Sequence, residues 1–112
     1  MKLHEIVKEL GLEVKSNVSV FDIEVRGGYA SDLLSDVIAN AKKDDIWVTL
    51  QIHQNIVGVS VLKELAGIII VNGREPEEET LKKAKVEDIP IMVTELPAFE
   101  IVGKLYRLID GC

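Results

Sequence analysis

A three-layer α/β/α fold with a mostly parallel sheet of about four to five strands is the class this sequence predicts. Three observations carry it. The chain reads as a helix followed by four strand–helix units with short loops, the order that builds a parallel sheet with helices on both faces. One strand candidate, "GIIIV" (67–71), is apolar throughout, as an inner strand buried on both faces should be. No linker or low-complexity segment divides the 112 residues, which fits a single domain spanning 1–112.

The elements follow in order. "LHEIVKELGL" sets Leu3, Ile6, Val7 and Leu10 at helical spacing, with Gly11 as the stop. "LEV" can add a brief strand. "SVFDIEV" (19–25) alternates and is rich in β-branched residues, so a strand is expected there, ending at Gly27-Gly28. "SDLLSDVIANAK" (31–42) reads as a helix with Leu33, Leu34, Val37, Ile38 and Ala41 on one stripe. "IWVTLQI" (46–52) is a strand with Ile46 and Val48 on one face and Trp47 and Thr49 on the other.

"NIVGVSVLKEL" is a third helix with Asn55 as its expected cap, apolar on nearly every side. "NGRE" is a turn. "PEEETLKKAKV" is a helix with Pro76 at its first position, acids at its start and lysines at its end, matching the dipole. "IPIMV" is a strand. "PAFEIVGKLYRLI" is a last helix whose stripe is expected to hold Phe99, Val102, Leu105, Tyr106 and Ile109.

Composition narrows the function classes. The chain is 47% hydrophobic and 29% charged, which is globular. Its net charge of −6 argues against nucleic acid or an anionic membrane as partner. No basic run, 20-residue apolar stretch or export signal is present, so a cytoplasmic location is expected. The single cysteine, Cys112, is the last residue and reads as an incidental thiol.

Ligands of open α/β sheets bind beyond the C-terminal ends of the strands. The loops expected there carry Gly27, Gly28, Tyr29, Ser31 and Asp32, then Gln51, His53, Gln54 and Asn55, then Asn72, Gly73 and Arg74, then Thr94 and Glu95. Gly27-Gly28 could admit a phosphate, but Asp32 and Asp36 in the following helical turns would repel it. A tight turn with Ser31 as N-cap is the favoured reading.

Neither a G-x-G-x-x-G nor a Walker pattern is present. Asp32, Ser35 and Asp36 could hold a divalent cation, though a solvated or loop-bonded face is favoured and no metal or cofactor is expected. His53 is the one candidate general base, with a structural role favoured and no local nucleophile; His4 is expected at the surface. Arg74 can bind a phosphate or pair with Glu75 or Glu77. The surplus apolar residues of the third and fifth helices make a homodimer the default expectation.

Several ordered segments together resemble the DRTGG domain family over nearly the whole chain. They are "GGYASDLLSDVIANAKKDDIWVTLQIHQNIVGVSVL", "AGIIIVNGREPEEETLKKA", "IPIMVTE" and "AFEIVGKLYRL". The signature D-R-x-V-T-G-G appears as "DIEVRGG". Asp22, Val25, Gly27 and Gly28 match, while Ile23 stands at the arginine position and Arg26 at the threonine position. The resemblance implies a fold like the N-terminal domain of HPr kinase. It also implies a regulatory or ligand-sensing module, sometimes nucleotide-linked, of the kind found beside CBS pairs in some pyrophosphatases.

Joined with the loop residues, these readings lead to a non-catalytic ligand-sensing domain. An adenine nucleotide is the expected ligand, with Gly27, Gly28, Ser31, Asp32, Gln51, His53, Asn55, Gly73 and Arg74 as site residues. The alternative is an interaction subunit that binds a protein partner of a redox or kinase-associated assembly. A small hydrolase using His53 ranks last.

Overall fold

The sheet runs β1-β5-β4-β3-β2, and four of its five strands are parallel. The computed structural model describes residues 1–110, so Cys112 lies outside the described residues. In chain order the elements are α1 (Leu3–Leu10), β1 (Glu13–Val14), β2 (Gly27–Ala30), α2 (Leu34–Asn40) and β3 (Asp45–Thr49). They continue with α3 (Asn55–Lys63), β4 (Gly67–Ile70), α4 (Glu78–Glu87), β5 (Ile91–Val93) and α5 (Ala98–Asp110). β1 is the antiparallel exception, pairing Glu13 with Val93.

Side chains alternate across a strand, so each inner strand feeds two cores. Ile68 and Ile70 join Trp47, Val57 and Ala84 in one layer, on the side of α2, α3 and α4. Ile69 and Val71 join Ile46, Val48, Met92, Leu3 and Leu105 in the other, on the side of α1 and α5. The apolar run "GIIIV" is thus explained by burial on both faces, and the expected three-layer α/β/α architecture is the one observed.

Several local expectations are corrected. The strand expected over 19–25 does not form. That segment is irregular, with Asp22 at a positive φ and a single antiparallel bridge from Glu24 to Lys2. Its buried Val25 serves the α1–α5 core instead of a strand ladder. The strand begins where a turn was expected, and Gly27 and Gly28 lie inside it. Close approach explains Gly27, where a Cβ would sit 2.9 Å from the Asp45 carboxylate; a Cβ on Gly28 would make only ordinary contact, 3.4 Å from Ile46.

Helix starts also shift. α2 begins at Leu34, so Ser31 is not its N-cap and Asp32 precedes it; the Ser31 hydroxyl accepts from the Leu33 amide at 3.2 Å. Asn55 is the first residue of α3, not its cap. α4 starts at Glu78, two residues after Pro76, because the Glu77 amide and Thr80 hydroxyl both donate to the Ile52 carbonyl.

Two apolar stripes are narrower than expected. Leu33 and Ile38 of the α2 region are exposed, as are Phe99 and Tyr106 of α5, where Ile101 and Leu105 fill the core. His4 is half-buried and stacks on Phe21 with ring centroids 4.9 Å apart, so it is not a freely exposed surface residue.

Candidate functional site

The parallel register of β2, β3, β4 and β5 brings their C-terminal ends to one edge. Asp32, just past β2, reaches across to the end of β3. Its Oδ1 accepts from the Thr49 hydroxyl at 2.9 Å and from the Leu50 amide at 2.7 Å. The Gln51 side chain returns the link, donating to the Asp32 carbonyl at 2.8 Å. Trp47, wholly buried, donates its indole N–H to the Ser31 carbonyl at 2.8 Å. The β2–α2 loop is therefore fixed to β3 at several points.

Arg74 joins this cluster from the turn after β4. Its guanidinium donates to the Leu50 carbonyl at 2.8 Å, so Leu50 is held by Asp32 on its N–H and by Arg74 on its C=O. Among the described residues no carboxylate pairs with Arg74. Glu75 is taken by Lys15, at 3.1 Å. Arg74 is exposed and, with five N–H donors on a guanidinium, retains donors for a ligand.

The turn that carries Arg74 is sharply made. Asn72 and Gly73 both have positive φ, and a Cβ on Gly73 would collide with the Glu95 carboxylate. The Gly73 amide donates to the Thr94 carbonyl at 2.9 Å. Beyond Gly73 a hollow of about 290 Å³ is bordered by Glu13, Glu75, Thr94 and Glu95. Its acidic rim disfavours anions, so an anionic ligand would lie on the Leu50–Arg74 side.

His53 and Asn55 are exposed at the start of α3, with the Asn55 amide donating to His53 Nδ1 at 3.4 Å. Ser31, Asp32, Gln51, His53, Asn55, Gly73 and Arg74 therefore share the strand C-terminal edge. Gly27 and Gly28 do not. They open β2, opposite Asp45 and Ile46 at the start of β3, at the other end of the sheet.

Asp32 and Asp36, expected as neighbours on one helix face, serve different partners. The Asp36 carboxylate accepts from Tyr29 and Asn40, while Asp32 is bound to β3. Hydrogen bonds, from Ser31 first and then Tyr29, hold the Asp36 carboxyl below its ordinary value. Among the described residues no group of three His, Cys, Asp or Glu side chains converges as a metal site. The links from Thr49 to Asp32 and from Trp47 to Ser31 escaped sequence reasoning, because both depend on the β2–β3 register.

No protein-family model matches the chain, and no curated protein matches it in sequence. Among solved structures, the fold is similar to the CBS and DRTGG domains of the regulatory region of a Clostridium perfringens pyrophosphatase, complexed with its activator diadenosine tetraphosphate. The TM-score is 0.65 at 16% identity, over 98% of this chain and 49% of that one. This chain thus spans about half the length of that neighbour. The α/β fold that the DRTGG resemblance implied is the fold observed, shared with a regulatory region. No helix among the described residues is long and apolar enough to cross a membrane.

Proposed function

We propose that this chain is a non-catalytic regulatory domain of the cytoplasm that acts as a homodimer and senses an adenine nucleotide at the C-terminal edge of its sheet. Arg74 carries this reading: an exposed guanidinium held over the end of β3 by the Leu50 carbonyl, with no carboxylate partner among the described residues. A cation so placed suits a phosphate group. Gln51, His53 and Asn55 add neutral polar groups beside it, and Ser31, Asp32 and Gly73 shape its walls. The neighbour's nucleotide activator supports the choice of ligand class. Gly27 and Gly28 have no part in this site.

Calorimetry and thermal-shift titration with adenosine mono-, di- and triphosphate and diadenosine tetraphosphate test it. A ligand at a hundred times its Kd stabilises the folded state by about 2.7 kcal/mol. Arg74→Ala should remove most of that shift while leaving the unliganded melting point nearly unchanged. A folded protein that shows no shift at millimolar nucleotide would sink the reading.

A second reading has its own observation. Leu62 of α3 and Val86 of α4 are 65% and 83% exposed on adjacent helices. These apolar positions fit an interaction subunit that docks another protein. Co-purification with a partner that Leu62→Glu abolishes, with no nucleotide bound, would favour it.

A further inference from the structure

The two edges of the sheet are built differently. β1 is two residues long, and the adjacent Lys15 pairs with Glu13 at 3.0 Å and Glu75 at 3.1 Å. A short, charged edge of this kind resists pairing with another chain. β2 has neither protection. Its sequence, Gly-Gly-Tyr-Ala, lacks charge and proline, and Gly28 and Ala30 are exposed.

The N-terminal residues cover only the approach to β2. The Leu3 amide donates to Ile23, and the Val25 amide to Met1. From Gly27 to Ala30 the one ladder partner is β3. The Ser31 amide donates inward, to Val48 at 3.2 Å. Successive amides of an extended strand point to opposite sides, so the Ala30 N–H points outward. Beside the strand a largely apolar groove of about 150 Å³ runs between Gly28 and the α5 residues Val102, Leu105 and Tyr106.

We propose that β2 is the seam of a two-fold dimer, in which a second copy of this chain adds its own β2 antiparallel and the two sheets become one. This rests on the homodimer reading above and not on the nucleotide reading. Charge selects the occupant and the register. Arg26 and Asp32 stand three residues to either side of Tyr29, and both are exposed. A two-fold axis through Tyr29 sets Gly28 against Ala30 and Arg26 against Asp32, twice. A parallel pairing would set like charges together.

Both side chains can make the exchange. Arg26 is 76% exposed and held by Asp44 at 3.3 Å, a surface pair of low worth. Asp32 makes its two side-chain hydrogen bonds through Oδ1 alone, leaving Oδ2 for the arginine of the second copy. The interface is isologous, as a closed two-fold dimer requires. It also covers the exposed ring of Tyr106 at the mouth of the groove.

Light scattering and sedimentation of the full chain test this. The wild type should be a dimer that weakens with salt. Ala30→Pro removes the outward amide without taking a donor from the β2–β3 ladder, as an edge strand tolerates, so it should be monomeric with an unchanged circular dichroism spectrum. Arg26→Glu should raise the dimer Kd by about tenfold or more, through like charge against Asp32, while Leu62→Glu should leave it unchanged. A monomeric wild type overturns both the homodimer reading and this interface. A dimer that survives folded Ala30→Pro overturns the interface alone. If Ala30→Pro fails to fold, an unchanged Kd in Arg26→Glu overturns it.

Discussion

The Tyr29 hydroxyl donates between both carboxylate oxygens of Asp36, at 2.9 Å to each. Asn40 adds a third bond, 2.9 Å to Oδ1. α2 has only seven residues and no side-chain N-cap bond, too little to stand by itself. The tyrosine therefore anchors the helix to the edge strand from which the chain has just emerged.

The pH dependence follows from this anchor. Asp36 is held below its ordinary value by Ser31 first and Tyr29 next, so folding favours its charged form. The resulting stabilisation is fully present above the unfolded aspartate value, about 3.9, and is lost as pH falls through the lower folded value. Urea midpoints measured across that acid window should fall in the wild type. They should fall less in Tyr29→Phe, whose stability at neutral pH is already reduced. Tyr29 is shifted up by Asp36, and its share is lost only above its ordinary value near 10.

Gly73→Ala meets two separate obstacles. Its positive φ costs a non-glycine residue about 1–2 kcal/mol, and its new methyl runs into Glu95. Thermal melts should show a larger loss in Gly73→Ala than in Gly73→Ala/Glu95→Ala. The double variant should still fall short of wild type by the backbone share.

Ser16→Ala should be costly for so small a change. Ser16 is buried and its hydroxyl accepts from the Ile91 amide at 2.8 Å. Removing the oxygen leaves that amide unpaired, at about 1–3 kcal/mol. The denaturation midpoint should fall with an unchanged slope, since the surface exposed on unfolding is the same.

Thr49→Val keeps the shape of a buried residue and deletes a hydroxyl that donates to Asp32 and accepts from the Gln51 amide. Hydrogen exchange at Gln51 should speed up while the core amides of β4 keep their protection. A variant in which Gln51 exchanges as slowly as before would show that the remaining bonds, from Leu50 and Gln51 to Asp32 and from Trp47 to Ser31, fix the loop without Thr49.

The inner sheet was legible because its pattern has one physical cause. Ile68, Ile69 and Ile70 are apolar in succession since both faces are covered, and the alternation of Ile46, Trp47 and Val48 assigns each to the correct core. β2 was not legible. Val20, Ile23 and Val25 have the look of a strand but are there to pack under α1, while the true strand opens with two glycines that read as a turn. Gly27 answers to the Asp45 carboxylate, a neighbour that exists only after folding.

The site divides in the same way. Gln51 and Arg74 could be placed at the strand C-terminal edge from topology alone. The Leu50 backbone that Arg74 and Asp32 grip from opposite sides could not, since a main-chain group has no sequence signature. Ser31 has the look of a cap because a serine before a helical pattern usually is one. Here α2 begins three residues later.

The pairing of β1 with β5 has a kinetic consequence. Ser16 and Ile91, bonded across that edge, are 75 residues apart in the chain. Closing a loop of that length costs about 4 kcal/mol of chain entropy by polymer scaling, before the short β1 ladder returns anything. β3, α3 and β4 face no such delay, as they are consecutive and already adjacent. During synthesis β1 must therefore wait, unpaired, until β5, 75 residues further along between Ser16 and Ile91, has been made.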